Sequence, residues 1–239
     1  AATAGTSGVV YGVTEQANYD PKSRVNTFVH VNHNVDKPRY GILLCLNGAA
    51  ILNRWLRHNI MDPGKINYKR MDLMAAEAQV GAEGLSILPY GNGAERTLEN
   101  RDIGASIHGL DLNRHGRAHL LRAAQEGVVF AMNYGLEIMR EMGTELTMIK
   151  AGEANMFLSP IFTEAFATIT GATVQLYNTD GSQGAARGAG LGAGLYRDYK
   201  EAFVGLDALQ VIEPDHEKAL AYQEAYGRWR DILVTKLRS

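Results

Sequence analysis

Three short stretches combine small residues with hydroxyls or amides in a way that suits a phosphate or a flat ligand. AGTSGVV, Ala4 to Val10, sets Gly5, Thr6, Ser7 and Gly8 in a turn that runs into a β-branched segment. Glycines let backbone N–H groups approach an anion closely, and the two hydroxyls can donate to phosphate oxygens; an ordinary tight turn uses the same residues. LNGAAILNRWLR, Leu46 to Arg57, leaves an apolar run at Asn47–Gly48 and passes through Ala49 into a helical pattern. Free N–H groups and the dipole at such a helix start would suit an anion, and a plain strand–turn–helix fits equally. KAGEANMFLSP, Lys150 to Pro160, repeats the arrangement, so a flat ligand could lie against Ala151–Gly152.

Other stretches offer less. RGAGLGAG, Arg187 to Gly194, imitates a dinucleotide fingerprint, but that fingerprint belongs in the turn directly after a strand. Here the preceding strand ends near Tyr177 and a helix should begin by Ser182, which puts these glycines inside the helix and argues against an oxidoreductase. His30 with His33, and His115 with His119, have helical spacing without a third ligand, so capping or solvated roles are expected rather than a metal site. In LPYGNGAERT, the Glu95–Arg96 pair could bind substrate or lock a turn. The single cysteine, Cys45, sits in the apolar run YGILLCL and reads as a buried, inert thiol.

The elements that must position these residues follow from periodicity. Gly8–Val13, Val25–Val31, Tyr40–Leu46 and Leu85–Tyr90 read as strands. Arg114 to Met142 reads as a long helix, with Leu121, Val128, Met132, Leu136 and Met139 on one apolar stripe. Strands at 147–152 and 172–178 then alternate with helices at 157–170 and 181–196, which implies parallel pairing in a layered α/β sheet. The tail from Pro214 to Ser239 reads as one amphipathic helix. No repeat, charge block or low-complexity linker divides the 239 residues, so a single domain over 1–239 is expected. Net charge is −2, which argues against a nucleic-acid partner. No apolar run is long enough to cross a membrane, and a cytoplasmic location is expected.

The pieces also come in a recognisable order. GTSGVV, a helix with RWLR, GLSILPYGNGAERT, RDIGASIHGL, and then HGRAHLLRAAQEGVVFA together resemble the C-terminal lobe of the FGGY carbohydrate kinases, in particular their xylulokinase members. AGEANMFLSPIFTEAFATITGATV is similar to that family's adenosine motif, and GAARGAGLGAG to its Gly- and Ala-rich helix. The chain departs from the family pattern at Ala151–Gly152–Glu153, where two or three glycines are usual, at Ala167–Thr168, and at Leu98, where Pro is usual.

The resemblance implies an α/β fold of the ribonuclease-H-like or actin-like ATPase type, a mixed sheet with flanking helices. It implies ATP and Mg²⁺ as cofactors and a sugar as substrate, D-xylulose first, with gluconate, glycerol or ribulose as alternatives. It implies ATP-binding roles for Gly5, Thr6, Ser7, Gly48, Ala49, Asn53, Ala151, Gly152 and Asn155, and no metal ligand or catalytic residue within the chain. The catalytic aspartate is expected upstream of Ala1, in a sequence joined to an N-terminal sugar-binding lobe. That lobe is the expected partner, with a homodimer also possible. The chain alone is then expected to be inactive. A nucleotide-binding or interaction module without catalysis is the alternative.

Overall fold

Four strands of the first half and three of the second share one sheet. The computed structural model of the chain describes residues 1–238. β1 (Ala2–Ala4), β2 (Gly8–Thr14), β3 (Asn26–Val29) and β4 (Tyr40–Leu46) are followed by the helices α1 (Ala50–Asn59) and α2 (Tyr68–Ala75). A separate ribbon, β5 (Ser86–Leu88) with β6 (Ser106–His108), precedes the long helix α3 (Arg117–Glu141). Then come β7 (Met148–Gly152), α4 (Pro160–Thr170), β8 (Thr173–Tyr177), α5 (Gly181–Gly192), α6 (Tyr199–Ala202), β9 (Ala208–Ile212) and α7 (Ala219–Arg238). The seven-stranded sheet runs β3-β4-β2-β1-β7-β8-β9.

The sheet is mixed, and its register places the chemistry. β1 and β2 form an antiparallel hairpin with Ala4 opposite Gly8, so Gly5–Ser7 is the turn between them. β2 pairs antiparallel with β4, Gly8 opposite Leu46. β1 and β7 run parallel, with Ala2 opposite Ala151, and β7 and β8 are parallel as the alternation of elements implied. The Gly5 turn, the end of β4 and the end of β7 therefore come to one end of the sheet. In α/β sheets, ligands bind at the carboxyl ends of strands.

α3 is the centre of the fold rather than a surface helix. Its apolar stripe is buried, and so are Arg122, Gln125, Glu126 and Asn133 on its other faces. These polar groups are paired, as burial requires. Arg122 Nε donates to Glu126 Oε1 at 2.6 Å and Arg122 Nη2 to the Tyr222 hydroxyl at 2.9 Å. Glu126 also accepts the Gly81 amide N–H. Burial pushes the Glu126 carboxyl up, while the Arg122 charge pulls it back down. The tail helix closes the core through Trp229, whose Nε1–H donates to Ile87 O at 2.9 Å.

Several expected elements are trimmed or split. The 157–170 helix divides into a 3₁₀ turn, Asn155–Leu158, and α4, because Ser159 caps the second helix and Pro160 opens it. The Gly-rich helix ends at Gly192, and the tail helix begins at Ala219 rather than Pro214; Ser239 lies outside the described residues. Cys45 is half-buried rather than buried, with burial pushing its thiol up. Among the described residues no helix is long and apolar enough to cross a membrane.

Candidate functional site

A cleft of about 760 Å³ opens at the end of the sheet where the strand termini meet. Its walls are the Gly5–Thr6 turn, the first turns of α1 with Ala50, Asn53 and Arg54, the α2 face with Tyr68, Lys69, Asp72 and Leu73, and the segment from Asn155 to Ile161. A volume of this size suits a drug-sized or nucleotide-sized ligand.

The floor is built by the β1–β2 turn gripping the start of α1. Ala50 N donates to Gly5 O at 2.9 Å and Ile51 N to Thr6 O at 3.3 Å. Asn47 N and Gly48 N donate to Glu95 Oε2 and Oε1 at 2.9 and 2.8 Å. This corrects one expectation: the amides at this helix start are not free for an anion, because turn carbonyls and a buried carboxylate already take them. Glu95 thus locks a turn rather than binding substrate. It is fully buried, and burial pushes its carboxyl up, offset by the two amide donors. Gly48 is glycine because a Cβ there would run into Pro89 O.

Of the residues expected at the site, Gly5, Thr6, Asn53 and Asn155 line the cleft together. Ser7, Gly48, Ala49, Ala151 and Gly152 are not on its lining and belong to the turns and strands behind it. A Cβ on Gly152 would run into Thr179 O, so this glycine serves the approach of β7 to the turn before α5. A Cβ on Gly5 would meet Asn155 Nδ2 at 3.7 Å among other ordinary contacts, so the Gly5 turn and the Asn155 side chain are direct neighbours. Asn155 holds φ at +55°, a left-handed conformation that Asn tolerates better than branched residues. Asn53 Oδ1 is buried and accepts no hydrogen bond from any described residue.

The sequence reading missed α2. Its Tyr68, Lys69 and Asp72 belong to no motif, and only the amphipathic spacing of YKRMDLMA could have signalled a helix there. Asp72 Oδ1 accepts Gln125 Nε2–H at 2.8 Å, and Gln125 Oε1 accepts the Ser159 hydroxyl at 2.7 Å. Burial pushes the Asp72 carboxyl up, with these neighbours opposing.

The remaining candidates take structural roles. Gly188, Gly190 and Gly192 lie inside α5, which excludes a dinucleotide turn. His115 Nδ1 accepts the Asp111 N–H at 3.0 Å and His119 Nδ1 accepts the Gly116 N–H at 3.2 Å, so both act as caps. Among the described residues no three His, Cys, Asp or Glu side chains converge on a metal position.

The mixed sheet with flanking helices and a cleft at its strand ends is the architecture that the sequence resemblance implies. The sequence profile of the FGGY family of carbohydrate kinases, C-terminal domain, matches residues 1–195, and the chain belongs to that family. The xylulose kinase of Haemophilus influenzae is 28% identical over 233 residues, which is 94% of this chain and 44% of that protein. The crystal structure of ligand-bound xylulose kinase from Lactobacillus acidophilus superimposes with a TM-score of 0.81 at 22% identity, covering 97% of this chain and 46% of that one. Plasmodium falciparum glycerol kinase with ADP gives a TM-score of 0.79 at 20% identity, covering 99% of this chain and 46% of that one. The chain spans less than half the length of these relatives.

Proposed function

We propose that this chain is the nucleotide-binding half of a sugar kinase that transfers the ATP γ-phosphoryl to a sugar hydroxyl, with D-xylulose as the sugar. The observation that carries the reading is the convergence of Gly5, Thr6, Asn53 and Asn155 on one cleft at the strand ends. Gly5 and Thr6 meet the phosphates, with Lys69 and Arg54 supplying positive charge on the same walls. Asn53 and Asn155 flank the nucleoside, where a ligand donor would satisfy the orphaned Asn53 oxygen. Ser7, Gly48, Ala49, Ala151 and Gly152 support these positions from behind. Mg²⁺ fits this chain as an ion carried by the nucleotide's phosphates, since it is commonly bound through phosphates and water.

Transfer in line also needs a positioned carboxylate to accept the hydroxyl proton. Glu95 and Glu126 are engaged by backbone amides, and Glu126 by Arg122 as well, so neither suits that role. We assign the base and the sugar site to an N-terminal lobe of the same kinase. The xylulose kinase relatives, similar along nearly the whole chain, support D-xylulose.

A coupled assay on the intact protein with D-xylulose, gluconate, glycerol and ribulose tests this. The highest kcat/KM is expected with D-xylulose. A clear preference for another sugar would replace the substrate, and binding of ADP without phosphotransfer to any sugar would make the protein a nucleotide-binding module.

A further inference from the structure

The α2 wall of the cleft carries a carboxylate that forms no ion pair with any described residue. Asp72 is half-buried, and its side-chain donors are the neutral Gln125 amide and the Ser159 hydroxyl. Gln125 is held in turn by the Ser159 hydroxyl, which also caps α4, so the amide is fixed in the orientation that points its N–H at Asp72. An ionised carboxylate offers about four lone-pair sites and donates nothing, so two neutral donors leave part of its capacity unused. Across the same cleft, Asn53 Oδ1 is a second acceptor, buried and unpartnered among the described residues. Ile51, Leu73, Met156 and Ile161 supply apolar surface to the cleft these acceptors share. A ligand that enters should bring an apolar ring bearing donors.

We propose that Asp72 is the residue that selects a 6-amino purine over a 6-oxo purine in this cleft. The inference rests on the nucleotide reading of the site and goes beyond it by naming the discriminating group. An exocyclic amine offers two N–H donors to this acceptor-rich wall. A 6-oxo group would instead bring an oxygen towards a carboxylate and an amide oxygen, leaving buried acceptors facing each other. Asn53 can rotate its amide to offer a donor, whereas Asp72 cannot, which makes Asp72 the discriminating group. The Gln125–Ser159 pair acts as a positioning element, because it fixes one carboxylate oxygen and so aims the other.

Titration calorimetry of the intact protein with ADP and with inosine diphosphate (IDP) tests the proposal without any variant. At least tenfold tighter binding of ADP is expected. Asp72→Asn should narrow that ratio several-fold, since a carboxamide can donate to a 6-oxo group; Ser159→Ala should narrow it less, by loosening Gln125. Equal affinity for ADP and IDP in the unmodified protein would overturn this inference and leave the nucleotide reading standing, as would an unchanged ratio in a folded Asp72→Asn variant. Binding of neither nucleotide would overturn both.

Discussion

Glu95 holds Gly48 by its amide N–H at 2.8 Å, and so fixes the turn from which the cleft-lining helix α1 departs. The two residues are far apart in sequence and the carboxylate is fully buried, so the contact is structural in its energetics and functional in its consequence. Replacing it by Glu95→Gln turns one acceptor into a donor facing an amide. A loss of about 1–3 kcal/mol is expected, read by urea denaturation.

The pH dependence of that loss has a definite sign. Burial raises the folded-state pKa of Glu95 above its ordinary value of 4.5. Its contribution to stability is then fully present below about 4.5 and declines as pH rises through the folded-state pKa. The destabilisation by Glu95→Gln should therefore be largest near pH 4 and shrink towards pH 7. Denaturation curves at both pH values check this, and a loss that grows with pH would contradict it.

Gly5→Ala separates binding from folding. The added Cβ meets nothing closer than 3.7 Å, so stability should stay within about 0.5 kcal/mol of wild type. The methyl group projects beside Asn155, where we place the nucleotide. ADP affinity should fall at least about tenfold, or 1.4 kcal/mol, by calorimetry.

Gly152→Ala should behave in the opposite way. Its Cβ would run into Thr179 O behind the cleft, so the expected effect is a stability loss of about 1–3 kcal/mol. A thermal melt with and without saturating ADP separates the two glycines: the Gly152 variant melts early in both.

Breaking the pair at the centre of α3 should cost more than either glycine. Arg122→Met leaves the buried Glu126 with the Gly81 amide as its donor among the described residues and Arg228 as its nearby positive charge. A loss of about 3–5 kcal/mol is expected, measured by equilibrium denaturation.

Much of this was legible in the sequence because it is local. The glycines and hydroxyls from Gly5 to Gly8 announce a turn, and β4 occupies the same seven residues that periodicity marks. What escaped depends on distant partners. Nothing near Gly48 reveals that Glu95 and the carbonyls of Gly5 and Thr6 consume the amides of the α1 start. Asp72 becomes a site residue only because α2 packs on α3 and α4 and turns this residue into the cleft, and strands as short as β1 and β6 carry too few residues for a period. β9 is exposed along most of its length, so it lacks the buried alternation that marks a strand.

The measurement closest to the central claim is chemical-shift mapping of the protein with MgADP. Perturbations should concentrate on Gly5, Thr6, Asn53 and Asn155 and extend to Lys69 and Asp72 on the α2 wall. Saturable binding that leaves those six residues unmoved and perturbs another surface would show that this cleft is not the nucleotide site.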